Sequence, residues 1–240
     1  MITNRANLPA PIVAALLNDP YDGPGITGDR VISVSRLIGP AQIAALTRAH
    51  ADEIETDASD MLWALLGQAV HHVIERASSR LPGLCEARFD AVLDGWTISG
   101  QIDYLHANVL QDYKVTSAWS VVYGKEEWIR QLNCYRWLLS KHGKTPERLE
   151  IVALCRDFDA KQVGSRGYPA QPMVTLPLEV WPLEKAEEYL RARIADHEIA
   201  LCGMPPACTD SERWMRKGTP ARCHRYCSVS SWCSQFKDAK

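Results

Sequence analysis

The sequence contains no run of eighteen apolar residues, so it offers no candidate membrane-spanning helix. Its opening, Met1-Ile2-Thr3-Asn4-Arg5, lacks the basic-then-apolar layout of a secretory signal. A soluble, cytoplasmic protein with no membrane association is therefore expected. Charge of one sign is scarce as well. The net charge is −2 and the pI about 6.4, so any affinity for nucleic acid must rest on local charge. With 23% charged and 46% hydrophobic residues, the composition is not that of a disordered chain. Its 240 residues suffice for one well-buried core with a small appendage.

What is present is unevenly placed. Between Asp210 and Lys240 seven Lys or Arg face three acids, leaving this stretch at +4 and the remainder at −6. Cys85, Cys134 and Cys155 are scattered through apolar stretches as small core residues. Cys202, Cys208, Cys223, Cys227 and Cys233 instead crowd the last forty residues. Without an export signal, such a cluster points to metal rather than disulfides.

Hydrophobic spacing and turn residues outline one α/β domain followed by a cysteine-bearing tail. A short helix fits Ala10–Leu17. Ser33 or Ser35 is placed to cap a helix through Leu37, Ile43, Leu46 and Ala49, interrupted at Gly39-Pro40. Asp60 is placed to cap a stronger helix over 61–77, with Leu62, Leu66, Ala69, Val73 and Ala77 on one apolar stripe. Residues 85–93 and 96–105 alternate apolar and polar around Asp94-Gly95, a two-residue hairpin signal. His106-Ala107-Asn108 forms a second turn, leading into 109–115. A helix over 126–142, strands at 148–158 and 174–180, and a helix from 184 to about 201 complete the pattern.

The second hairpin carries the sharpest chemistry. If its turn centres on Ala107-Asn108, Asp103 stands across from Asp112 with β-carbons about 5 Å apart. Two carboxylates so placed repel, and a divalent cation between them reverses that sign. Lys114 shares their face by strand alternation, while Tyr113 points away and leaves its carbonyl to ligate metal. Such a set suits phosphodiester hydrolysis: metal activates water, and the lysine orients that water or stabilises the phosphorane. On the preceding helix Gly67, His71 and Glu75 share a face, the histidine offering a neutral imidazole. On the following helix Gln131 and Tyr135 present an amide and a phenol together. Each has a plainer reading as a solvated face, a surface histidine or a core tyrosine.

Taken in order, Gly67-x-x-x-His71, Gly100-Gln101-Ile102-Asp103, Asp112-Tyr113-Lys114 and Gln131-x-x-x-Tyr135 resemble the RecB-like branch of the PD-(D/E)XK nucleases. That branch includes the nucleases of CRISPR adaptation and recombination exonucleases. Asp112 stands where many relatives carry Glu. The resemblance implies a restriction-endonuclease-like α/β core, a mixed sheet flanked by helices. It implies that His71, Asp103 and Asp112, with the Tyr113 carbonyl, bind Mg²⁺ or Mn²⁺. Catalysis would fall to Asp103, Asp112 and Lys114, with Gln131 and Tyr135 positioning DNA. The expected division is a helical segment at 1–59, the nuclease core at 60–201 and a metal-binding tail at 202–240.

In the tail, Cys208-x14-Cys223-x3-Cys227-x5-Cys233 supplies four soft ligands, suited to tetrahedral Zn²⁺ or a [4Fe–4S] cluster. The relatives often hold a [4Fe–4S] cluster on cysteines close together at the C-terminal end, which implies one here, with Zn²⁺ as the alternative. No cysteine precedes Cys85, so the fourth ligand falls to Cys208, with Cys202 behind it. A closed site would fix Arg213, Arg216, Lys217, Arg222 and Arg225 into a basic surface suited to single-stranded DNA. The function expected is a divalent-metal-dependent DNA nuclease, an exonuclease or end-processing enzyme acting on single strands or free ends. The alternatives are a catalytically silent DNA-binding subunit and a zinc-stabilised protein-interaction module.

Overall fold

A computed structural model describes residues 1–17, 28, 30–78, 80–165 and 167–237. The chain begins with β1 (Ile2–Thr3), α1 (Ala10–Leu17), β2 (Val31–Ser33), α2 (Val34–Leu37), α3 (Ala41–Ala49) and β3 (Thr56–Asp57). Then come α4 (Leu62–Ser78), β4 (Leu84–Leu93), β5 (Trp96–His106), β6 (Val109–Thr116), α5 (Ala118–Tyr123) and α6 (Glu126–Ser140). β7 (Arg148–Cys155), β8 (Met173–Leu178) and α7 (Leu183–Leu201) follow. The tail forms α8 (Asp210–Arg213), β9 (Met215–Arg216), β10 (Thr219–Pro220), α9 (Ala221–Arg225) and α10 (Ser234–Lys237). No helix among the described residues is long and apolar enough to cross a membrane.

The chain divides into two compact units. One contains Trp63–Glu188 together with β2, and its centre is a mixed sheet in the order β2-β5-β6-β7-β8, with β4 also paired to β5. A strand has two hydrogen-bonding edges, and β4 occupies one edge of β5 from Leu93↔Trp96 to Leu84↔Leu105. The other edge is shared. β2 pairs with Thr97–Ser99 in parallel, and β6 pairs antiparallel only with Tyr104–His106. Residues 100–103 lie between those two pairings. The mixed sheet and its helices fit a restriction-endonuclease-like core.

Both tight turns follow from local backbone chemistry. Asp94 and Gly95 have φ of 48° and 79°, and Ala107 and Asn108 have 47° and 62°. Two successive positive φ values are those of the turn whose twist matches flanking strands. They fix the registers Leu93↔Trp96 and His106↔Val109. Packed against β4, β5, β6 and β7 is α6, which buries Trp128, Leu132, Trp137, Leu138 and Leu139. Each such side chain contributes about 1.5–3 kcal/mol on burial. Asn133 tethers α6 further, donating to the Glu179 carbonyl at 2.9 Å and accepting from the Trp181 N–H at 2.7 Å.

The other unit contains α1, Ser35–Leu62 and the chain from Tyr189 onward. Here Arg193 donates to the carbonyls of Leu37 (3.1 Å) and Gly39, and His197 Nε2 lies 3.2 Å from the Leu37 carbonyl. These bonds satisfy carbonyls that the end of α2 leaves open.

Several local expectations are corrected. Ser33 belongs to strand β2, whereas the interruption expected at Gly39-Pro40 is present, between α2 and α3. The cap before α4 is Asp57, whose carboxylate accepts the Ser59 N–H at 3.0 Å in a 3₁₀ turn over Ala58–Met61. Helix α5 was not foreseen in a segment rich in β-branched and aromatic residues. It starts because Ser117 accepts the Ser120 N–H and Asp157 accepts the Ala118 N–H at 2.7 Å. The expected stripe on α4 is turned outward, with Leu66, Ala69, Val73 and Ala77 exposed. The helix instead orients the line Leu65, Gln68, His71, Ile74 and Ser78 inward. A hydrogen bond from His71 to the sheet sets that rotation.

Candidate active site

β6 leaves β5 after Tyr104↔Gln111, and the next position would pair Asp103 with Asp112. There the ladder is replaced by a side chain: the Tyr113 N–H donates to Asp103 Oδ2 at 2.6 Å. Asp103 and Asp112 are both buried at this fork. The Lys114 ammonium donates to Asp112 Oδ1 at 3.0 Å. It also lies 2.7 Å from Oδ2, so the ammonium ion-pairs with both oxygens of this buried carboxylate.

His71 reaches this fork from α4. Its Nε2 lies 3.1 Å from the Tyr113 carbonyl, and its Nδ1 lies 3.4 Å from Glu86 Oε1 and 3.8 Å from Asp103 Oδ2. His71 is 16% exposed and His72 52%, as expected for neighbours about 100° apart around a helix. Glu75 does not join the group; it turns outward beside His72, at 3.4 Å. Above Gly67 there is open space.

Glu86 is the site residue that the sequence reading missed. Cys85↔Tyr104 and Ala87↔Ile102 bracket it, so it stands across from Asp103. A two-residue turn at Asp94-Gly95 requires this register, and counting back from it would have found the residue. Its φ of 47° lies in the left-handed region, which costs about 1–3 kcal/mol for a non-glycine and is typical of functional positions. Gln101 holds the carboxylate, donating to Glu86 Oε2 at 2.7 Å while accepting from Arg88 at 3.0 Å. One ligand atom each from His71, Glu86 and Asp103 lie within 4.8 Å of one another.

The electrostatics follow from this crowding. Burial, then the charge of Asp112, pushes Asp103 up to about 7. The Glu86 hydrogen bond raises His71 above its ordinary value, against the effect of burial. Burial opposes the charge on Lys114, but Asp112 and Asp103 outweigh it and hold the ammonium above the usual lysine range. Carboxylates and a histidine crowded beside the single Lys114 ammonium form an arrangement that a further cation would stabilise. The nitrogen and oxygen donors are of the type that a hard divalent cation takes.

Gln131 and Tyr135 sit on the α6 face toward this region. Gln131 Nε2 donates to Tyr135 Oη at 3.1 Å, and burial raises the phenol's pKa. The Tyr135 ring lies against Gly100.

In the tail, Cys208, Cys223, Cys227 and Cys233 line one cavity, together with Gln42, Arg213 and Arg222. Cys202 is exposed and is not among the lining residues. Gln235 brackets Cys208, accepting its N–H at 3.0 Å and donating to its carbonyl at 2.8 Å. Burial, then the charge of Glu212, pushes the Cys208 thiol up to about 12. Arg213 Nε is buried at this cavity without a hydrogen-bond partner. Arg222 is half-buried and stacks on Trp214 at 5.0 Å, whereas Arg216, Lys217 and Arg225 are exposed.

No curated protein matches the chain. Among solved structures, that of SSO0001 superposes with a TM-score of 0.59 at 16% identity, over 93% of this chain and 94% of that one. This is a likeness of fold. A chain from Eubacterium rectale described as a candidate exonuclease gives a TM-score of 0.38 at 13% identity, over 76% and 73% of the two chains. The family model of the PD-(D/E)XK nucleases matches residues 41–234. That span takes in the forked hairpin, the histidine above it and all four cavity cysteines, and the chain belongs to the PD-(D/E)XK nuclease superfamily.

Proposed function

We propose that the chain is a divalent-metal-dependent DNA nuclease, an exonuclease or end-processing enzyme that hydrolyses phosphodiester bonds of single strands or frayed ends. Nucleases of this superfamily use divalent metals. The observation that carries the reading is the convergence of His71, Glu86 and Asp103 beside the Lys114-paired carboxylate of Asp112. These four residues, with the Tyr113 carbonyl, would hold Mg²⁺ or Mn²⁺. When bound, the ion supplies an activated water and offsets charge growing on the phosphate.

The chain's own residues do the rest. Asp112 keeps the Lys114 ammonium charged and aimed into the fork, where it stabilises a negative phosphate oxygen or orients the attacking water. Gln101, itself held by Arg88, keeps the Glu86 carboxylate turned toward His71. The Tyr113 N–H fixes one oxygen of Asp103. Gln131 and Tyr135 act as one hydrogen-bonded pair that orients DNA across the site. A catalytically silent DNA grip has no use for a histidine and two carboxylates gathered at metal-ligand distances of one another, which disfavours that alternative.

In the same reading, Cys208, Cys223, Cys227 and Cys233 hold a [4Fe–4S] cluster, with Zn²⁺ as the alternative. Four thiols around one cavity and the partnerless Arg213 Nε fit an anionic sulfur group better than free thiols. Contacts of the tail with DNA then fall to Arg216, Lys217 and Arg225, while Arg213 and Arg222 support the cavity. The reading is tested by assaying end-labelled single and double strands with anaerobically purified protein. Cleavage should require Mg²⁺ or Mn²⁺ and stop in chelator.

A further inference from the structure

Among the described residues of the unit that carries the forked hairpin, three large rings are left in water. Trp63 is 61% exposed, Trp119 40% and Tyr123 73%. They belong to one neighbourhood. The Arg156 guanidinium lies 4.5 Å from the Trp63 ring centre, and its backbone N–H donates to the Thr116 carbonyl at the end of β6. Two residues on, Phe158 packs on Tyr168 (5.9 Å), Tyr168 meets Trp119 edge-on (5.7 Å), and Trp119 stacks with Tyr123 (5.8 Å, 24° between planes). The patch lies outside the carboxyl ends of the parallel strands β6 and β7, where open α/β sheets hold ligands.

Two independent elements connect it to the metal donors. Trp63 precedes His71 by eight residues of α4, about 12 Å of helix. Ser117, the cap of α5, follows Lys114 by three residues, about 10 Å of strand. A strand lying along either element from the fork runs onto these rings.

We infer that Trp63, Arg156, Trp119 and Tyr123 form a stacking surface for unpaired bases of the nucleic-acid strand being cut. This rests on the nuclease reading for the strand's path, though not for binding itself. Planar rings beside a guanidinium take any base by stacking and charge, with no demand on sequence. Paired bases inside a duplex are already stacked and cannot use such a surface, so it selects single strands and frayed ends.

The test is binding of short oligo-dT and of a blunt duplex to the full chain in chelator, read by anisotropy and tryptophan quenching. Trp63→Ala and Trp119→Ala should each weaken oligo-dT binding roughly tenfold, with duplex binding unchanged. Trp63→Phe, which keeps a ring, should stay close to wild type, and unchanged melting temperatures establish that the variants fold. Wild-type oligo-dT affinity in both alanine variants would overturn the inference. So would unchanged DNA binding with loss of self-association in sedimentation, which would make the patch a protein-docking face. Asp112→Ala separates the two claims. If wild type and Asp112→Ala both fail to cut while Trp63→Ala still loses oligo-dT, the nuclease reading fails and the stacking surface stands.

Discussion

The ring of Tyr135 lies so close to Gly100 that a β-carbon at residue 100 would sit 2.6 Å from Cε1 and 2.9 Å from Cδ1. Leu138 Cδ1 would be 3.0 Å away, so the ring has little room to yield. Gly100→Ala should therefore destabilise the fold by about 1–3 kcal/mol and displace the Gln131–Tyr135 pair. Urea denaturation gives the stability change. A wild-type midpoint with wild-type cleavage would show that the ring is not held there.

Glu86 should matter as much as the aspartates. Glu86→Gln keeps the size and the Gln101 contact but removes the charge. It should weaken metal binding at least about tenfold, as loss of a ligand or its support does. His71→Ala should do the same, while His72→Ala, on the exposed side of α4, should not. Calorimetric titration with Mn²⁺ distinguishes them; equal behaviour of the two histidine variants would contradict the rotation assigned to α4.

Protonation gives an independent check. Asp103 is pushed up to about 7 by burial and by Asp112, from an unfolded value of about 3.9. The folded, metal-free chain therefore binds more protons than the unfolded one, and it loses stability as pH rises between about 4 and 7. His71, also raised, acts in the same direction. A divalent ion needs the charged carboxylate, so binding should expel protons and tighten with pH. The melting shift on adding Mg²⁺ should grow from pH 5.5 to 7.5. A shift independent of pH would contradict the raised carboxylate.

The tail should carry iron. Protein purified anaerobically should hold about four irons with matching sulfide, and Cys227→Ser should lose them with a lower melting temperature. One zinc per chain would select the alternative. No metal, with an unchanged melting temperature in Cys227→Ser, would contradict a liganded tail.

How much of this was readable in the sequence depends on the range of the contact. Asp94-Gly95 and Ala107-Asn108 are local turns, and they set the registers that bring Asp103 beside Asp112 and Lys114 onto the same fork. The burial of α6 was equally plain in its apolar spacing. Glu86 was passed over because a polar residue in an alternating strand looks like any solvated one until His71 descends on it from 15 residues away. β2 is three residues long and pairs with a strand more than sixty residues later, and nothing local marks it. The apolar stripe of α4 suggests a core-facing side, but the side that meets the sheet is the one carrying His71, the residue expected at the site.

The central claim is that the fork of Asp103, Asp112 and Lys114 cuts phosphodiester bonds with a divalent ion. Its most direct test is the rate at which anaerobically purified protein releases end label from single-stranded DNA with Mn²⁺, for wild type, Asp112→Ala and Lys114→Ala. Wild type should cut, with the rate vanishing in chelator. Each variant should fall at least about a hundredfold while keeping its fold. Both variants cutting at the wild-type rate, or wild-type cleavage that persists in chelator, would contradict the account.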